Sequence, residues 1–351
     1  MKKLLTAGLL IALSTYSAGA SGTLFGSGGK LFGSGASFPA PLYAAMFKQY
    51  AKTTGETVDY QSSNSLTGQT DLLSRRVDFG ASDAFLTKAQ MDSAPAEVLH
   101  IPVAIAAVVP TYNLPGLKAP LHFSGDTLAK IYMGGIKRWN DAALQAINPG
   151  VSLPNLPIVP VYRSDGGGTT SIFVDYLSKV SKAWAQAFGS GPQTKLKWPT
   201  GVGAKKTDGV IEQVRAQIGA IGYAPVGTVK SNKLAYGWVI NRAGQIVDGA
   251  DQVQLFNAAS AVELPEDTRI SITDSDIGYP IAGFTWILVY RDQRYSDRTL
   301  DQAKALVKLL RWMIDEGQRL NSQMGFGSIE GSASARAFRQ IERMTYGGVK
   351  L

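Results

Sequence analysis

Apolar residues recur along this chain at two spacings, and the switches between them mark its elements. Leu31–Gly35, Thr57–Gln61, Val77–Ala81, Ile158–Tyr162 and Ala220–Tyr223 are short β-branched or apolar runs between glycine and polar turns, the pattern of buried strands. Between them the spacing becomes helical. Leu42, Tyr43, Met46, Phe47 and Tyr50 form one face that stops at Gly55, with Ser37 the expected cap and Pro39 and Pro41 in the first turn. A polar turn, Ser62–Ser65, leads into a helix near Thr67–Leu73. Ile172, Phe173, Tyr176, Leu177, Val180 and Trp184 predict one long helix over Ser171–Phe188, and Asp208–Ile218 another. The order βαβαβ predicts a parallel sheet with right-handed crossovers, whose ligands sit at the carboxyl ends of the strands. Ser37, Ser65 and Asp83 fall there.

Val98–Val109 is apolar for longer than one ordinary strand, so it reads as a segment passing from a first lobe to a second. Ile281–Tyr290 has the same character and carries the chain back. The expected architecture is therefore α/β in two lobes, residues 31–105 with 284–351 and residues 106–283. Helices at Leu128–Met133 and Ala142–Ile147 belong to the second lobe, and helices at Leu300–Glu316, stopped by Gly317, and Ser334–Met344 to the first.

The run from Val161 to Thr170 concentrates the chemistry. A strand enters a turn of three glycines, Gly166–Gly168, and a helix follows. A helix start presents unpaired N–H groups and the positive end of a dipole, which suits an anion. Arg163 adds a permanent cation whose planar fork fits phosphate or carboxylate oxygens, and Asp165 is placed to hold it. Taken alone, the glycine turn reads equally well as the solvated end of a strand. Ser37, Ser65 and Thr169 each put a hydroxyl at a helix start, with Asp83 and Arg163 in like positions, and that convergence favours a site.

The first residues point to a compartment. Lys2 and Lys3 precede the apolar run Leu4–Leu13, and Ala18-Gly19-Ala20 is a small-residue cleavage site, so 1–20 is expected to be a secretory signal. Residues 21–30 read as a leader in which Leu24-Phe25-Gly26-Ser27-Gly28 duplicates Leu31-Phe32-Gly33-Ser34-Gly35. The chain has 351 residues, no cysteine and a net charge of +8, which excludes disulfides and thiolate chemistry and favours anionic ligands. Its basic residues form no dense cluster interleaved with aromatics, against a nucleic-acid surface. His100 and His122, the two histidines, lie in apolar runs and read as structural. No metal or other cofactor is expected, and a phosphate-ester hydrolase stands only as an alternative.

The run Gly33–Tyr43 resembles the opening of mature periplasmic phosphate-binding proteins of ABC transporters. So do Val77–Asp83, Ile131–Asp141, Arg163–Thr170 and Gly219–Tyr223, and the similarity extends from about Leu31 to the C-terminal helices. The resemblance implies the type II two-lobed binding-protein fold, with dehydrated phosphate between the lobes. It implies that the Ser37 hydroxyl, the Phe38 N–H, the Ser65 hydroxyl, Arg163 supported by Asp165, and the turn end Gly168 and Thr169 donate to the ligand. Asp83 would accept a hydrogen bond from it. Where many members carry serine, this chain has Gly167, which keeps a backbone N–H and loses a hydroxyl. That loss costs about 1.5–3 kcal/mol if neither water nor Thr170 replaces it. The resemblance further implies a monomeric, non-enzymatic periplasmic or extracellular protein. Its partners would be inorganic phosphate and the permease subunits of a phosphate ABC transporter with their ATPase. Another oxyanion is the remaining alternative. Asp83 argues against sulfate, because a buried carboxylate repels an anion that brings no proton.

Overall fold

The computed structural model describes residues 30–117 and 119–351. The expected signal and the first copy of the duplicated segment lie outside the described residues. The second copy, Leu31–Gly35, is a strand, as its sequence context predicts.

One continuous sheet organises the molecule. Leu31–Gly35 lies between Val58–Ser62 and Phe79–Ser82, parallel to both. The far half of the sheet contains Ala220–Pro225, Val159–Arg163 and Val202–Ala204, with the last two parallel. Two long strands join the halves. Val98–Tyr112 is buried along all 15 residues, and Ala282–Tyr290 along all nine. They run antiparallel to each other from Val98 opposite Tyr290 to Ala107 opposite Ala282. Beyond that point Val98–Tyr112 turns to a new partner, pairing Val108–Tyr112 with Ala220–Pro225. Each connecting strand is covered on both faces, which explains why the sequence shows an unbroken apolar run and no alternation.

The helices follow the expected faces. In Ala40–Thr54 the buried residues are Leu42, Tyr43, Met46, Phe47 and Tyr50, and Gly55 closes the helix in the left-handed conformation. Four expectations change. Ser37 does not cap this helix; Pro39 takes the cap position and the proline ring fixes the entry. The helix expected near Thr67 starts at Ser65 and is capped by Asn64, whose Oδ1 accepts the Thr67 N–H at 2.9 Å. The single helix over Ser171–Phe188 is two, Gly168–Val180 and Lys182–Phe188. Ser181 is extended at the break and its hydroxyl caps the second piece at Trp184, so a local side-chain bond overrides a continuous apolar period. The helix from Leu300 ends at Ile314 and passes into a 3-10 turn over Glu316–Leu320.

Several elements escaped the pattern, most of them only two or three residues long: the strand Val202–Ala204, the helix Gln252–Ser260, and a small sheet of His122–Phe123, Trp238–Ile240 and Ile246–Val247. A fully buried ion pair, Arg298 with Asp78, also lay hidden. Asp78 Oδ2 accepts the Phe32 N–H at 2.7 Å, so the pair ties the first strand to the segment entering the Leu300–Ile314 helix. Removing one member of such a pair costs about 3–5 kcal/mol. Arg298→Met is expected to lose that much in urea unfolding, and Asp78→Asn with Arg298→Met to regain most of it. A single variant within about 1 kcal/mol of the parent would show that the pair is not needed.

Candidate functional site

The carboxyl ends of strands from both halves of the sheet meet the starts of helices at one place, and the side chains there are buried. Asp83 follows the Phe79–Ser82 strand and is 3 % exposed. Its N–H donates to Ser65 Oγ at 3.1 Å, and the Ser65 hydroxyl donates to Asp83 Oδ2 at 3.3 Å. Ser65 is free to do so because Asn64 has taken over the capping. The helix carrying Ser65 sits hard against the strands through Gly68, where a Cβ would lie 2.5 Å from the Ala81 carbonyl oxygen. Among the described residues Asp83 Oδ1 has no hydrogen-bond partner. Burial pushes the Asp83 carboxyl up to about 7, against the pull of the Thr285 hydroxyl, the Arg163 charge and Ser65. Thr285 lies on the returning connecting strand, fully buried, 3.2 Å from the Tyr43 hydroxyl.

Arg163 ends the Val159–Arg163 strand and is as buried as Asp83. Its Nε and Nη2 donate to the two oxygens of Asp165 at 2.7 and 2.6 Å, and Nη1 reaches Thr169 Oγ1 at 3.5 Å. Burial alone would raise the Asp165 carboxyl. The bonds and charge of Arg163 outweigh it and hold Asp165 below the usual range. The Arg163 N–H donates to the Tyr223 hydroxyl at 3.0 Å, and that hydroxyl is 2.8 Å from Thr170 Oγ1. Thr170 is therefore committed to Tyr223 and is not the substitute for a missing hydroxyl at position 167.

The glycine turn is shaped by close approach. A Cβ on Gly168 would lie 2.4 Å from Asp83 Cβ and 2.5 Å from Ser65 Oγ, so only glycine lets this helix start rest on the opposite half of the molecule. Gly167 faces the guanidinium: a Cβ there would be 2.6 Å from Arg163 Cζ. The Gly167 N–H donates to the carbonyls of Asp165 and Thr194 at 2.9 and 3.0 Å. This revises the expectation that Gly167 offers its N–H to a ligand; the turn itself uses it. Thr169 is buried in the first turn of Gly168–Val180. Ser37 is nearly buried, with its Oγ 3.4 Å from Thr207 Oγ1. Phe38 beside it packs its ring 5.8 Å from that of Phe326.

Ser65, Asp83, Arg163, Gly168 and Thr169 are thus gathered into one buried cluster, with the half-buried Asp165 clamping Arg163 and Ser37 beside it through Thr207. His100 is away from it and neutral, its Nε2 accepting the Leu86 N–H at 3.0 Å while burial, then Arg269, hold its pKa at about 3. His122 stacks on Trp238. Among the described residues no group of His, Cys, Asp or Glu is arranged to hold a metal ion. Sequence reasoning missed Thr207, Tyr223 and Thr285. Thr285 had a signal, a lone hydroxyl inside the apolar run Ala282–Tyr290. Thr207 directly precedes Asp208, where the helix was expected to start.

Comparison with known proteins bears on family and fold. The family model for the PBP superfamily domain matches residues 17–316. The chain is 37% identical over 295 residues to the phosphate-binding protein PstS of Pasteurella multocida, covering 83% of each. It is 36% identical over 296 residues to PstS of Haemophilus influenzae, covering 83% of this chain and 86% of that protein. In fold it resembles a phosphate-bound, high-affinity periplasmic phosphate-binding protein, PfluDING. That match has a TM-score of 0.70 and 20% identity, over 87% of this chain and 92% of that one. A phosphate-binding protein from Stenotrophomonas maltophilia gives 0.64 and 18%, over 89% and 93%. These likenesses show the two-lobed fold.

The Asp83 shift has a consequence for stability. An unfolded aspartate titrates near 3.9, roughly three units below the folded group. The folded state holds the extra proton between those limits, so this group lowers stability progressively as pH rises from about 4 to about 7. Ligand-free Asp83→Asn escapes that cost. Its gain over the parent is expected to be larger at pH 8 than at pH 4 by up to about 4 kcal/mol in urea unfolding. An equal gain at both pH values would contradict the shift.

Proposed function

This chain belongs to the family of PstS phosphate-binding proteins within the PBP superfamily, and we propose that it captures inorganic phosphate between its two lobes for an ABC-type permease. The observation that carries the reading is the buried cluster itself. A guanidinium fixed by Asp165 acts by its charge on Asp83, whose Oδ1 has no hydrogen-bond partner among the described residues, and the helix start at Gly168 lies against Asp83 and Ser65. Arg163 supplies the charge that draws a dianion out of water. Ser37 and Thr169 donate hydroxyl protons, Ser65 does so by turning its proton from Asp83 Oδ2 to the ligand, and the Phe38 N–H, just ahead of its helix, donates with the first-turn N–H groups of Gly168 and Thr169. Asp165 acts indirectly, holding Arg163 flat. No covalent step is required of any of these groups.

Asp83 makes the site selective. Hydrogen phosphate brings a proton for Oδ1; sulfate near neutral pH brings none, and two sets of lone pairs would then face each other in a dry cleft. The residues 31–105 with 284–351, and 106–283, are the two bodies that close on the anion, with the paired strands Val98–Tyr112 and Ala282–Tyr290 as their joint. No helix among the described residues is long and apolar enough to cross a membrane. That fits secretion directed by the segment from Lys2 to Ala20 and delivery to membrane-bound permease subunits.

Calorimetry of the mature protein with phosphate, arsenate and sulfate tests this reading. Phosphate and arsenate are expected to bind and sulfate not to bind at pH 8; tight sulfate binding would overturn it. Arg163→Gln is expected to weaken phosphate binding at least about thirtyfold, because the anion would then be buried without its cation. Asp83→Asn, whose amide donates where the carboxylate repels, is expected to admit sulfate. An unchanged phosphate preference in that variant would remove the selectivity argument.

A further inference from the structure

Three hydrogen bonds cross from one half of the sheet to the other at the rim of the site. The Leu66 N–H donates to the Gly166 carbonyl at 3.1 Å. The Lys206 ammonium donates to the Ser62 carbonyl at 3.1 Å. Ser37 and Thr207 face each other through their hydroxyl oxygens at 3.4 Å. Two of the three come from consecutive residues at the start of the Lys206–Ala216 helix. The same turn also reaches the cation, because the Lys206 N–H donates to Asp165 Oδ1 at 3.1 Å, and Asp165 clamps Arg163.

The local conformation is unusual. Lys206 has φ +58°, a left-handed backbone that glycine adopts without steric cost and lysine does not. A lysine here forgoes that ease and places an ammonium across the cleft. Thr207 is 4 % exposed, although Lys205, Lys206 and Asp208 around it are all exposed. It shares the buried face of its helix with Val210, Ile211 and Val214, and its hydroxyl oxygen reaches Ser37.

We propose that Lys206 and Thr207 form a latch that holds the cleft shut over bound phosphate, with Thr207 the positioning residue for the Ser37 hydroxyl. This rests on the phosphate reading above. A serine hydroxyl has one proton and two lone pairs. When Ser37 gives its proton to a phosphate oxygen, a lone pair remains to accept the Thr207 proton. Thr207 then fixes the Ser37 rotamer, and the chained bonds polarise the Ser37 O–H toward the anion. With the lobes apart, Ser37 and Thr207 each face water and make no such contact. The latch therefore stabilises the closed complex and slows release, and leaves capture nearly unchanged.

Stopped-flow fluorescence with inorganic phosphate tests this, with ligand-free thermal melting alongside. Thr207→Val keeps the shape and removes the hydroxyl. It is expected to raise the phosphate off-rate about fivefold to tenfold, with the on-rate within about twofold and the ligand-free midpoint unchanged. Thr207→Ser is expected to restore the parental off-rate. Lys206→Gly is expected to raise the off-rate severalfold without lowering ligand-free stability. A parental off-rate in Thr207→Val overturns the latch while phosphate binding by the parent still stands. An off-rate that rises only together with a lowered ligand-free midpoint marks Thr207 as packing, and also overturns it. Absence of phosphate binding by the parent would fall on the phosphate reading itself.

Discussion

The bidentate pair between Arg163 and Asp165 is the interaction on which the rest depends. A guanidinium with almost no exposure to water needs a counter-charge, and Asp165 supplies it through both oxygens. That pair leaves Nη1 toward Thr169 and the cleft, and it fixes the plane of the cation before any anion arrives. The pairing also sets the shape of the turn. Position 167 lies so close to the guanidinium that a side chain there would displace it, and the N–H of Gly167 is spent inside the turn. The cation, its clamp and the glycine are one device.

A neutralised cation next to a second carboxylate is a poor place for a dianion by charge alone. On the proposed reading, hydroxyls, helix starts and a proton shared between ligand and Asp83 offset this. The fold delivers these groups from both halves of one sheet. Gly68 lowers the Ser65 helix onto its strands, and Gly168 lets the opposing helix start touch Asp83 and Ser65. The two long buried strands keep the halves connected and bring Thr285 under Asp83. On the proposed reading, selectivity, affinity and closure draw on the same few contacts.

Much of this was legible in the sequence, for physical reasons. The apolar face of Ala40–Thr54 and the two connecting strands follow from burial, which writes itself into residue type. Arg163, Asp165, Asp83 and Ser65 stand at strand ends and helix starts, positions that local pattern can locate. What stayed hidden depends on three-dimensional neighbours. Ser65 is available because Asn64 took the cap, a competition that sequence alone does not decide. Thr170 turns to Tyr223, more than fifty positions away in the chain. The Asp78–Arg298 pair and the contact of Ser37 with Thr207 join residues far apart in sequence, and no local spacing announces them.

The central claim is that the complex keeps a single proton, held between phosphate and Asp83. Calorimetry in buffers of differing ionisation enthalpy measures the protons exchanged on binding. At pH 8 the Asp83 carboxyl is largely ionised and the ligand is the dianion, so no net exchange is expected. At pH 6 both partners start with an additional proton, and binding is expected to release up to about two. Phosphate binding at pH 6 with no proton release would contradict the account, because Asp83 would then remain neutral against its ligand.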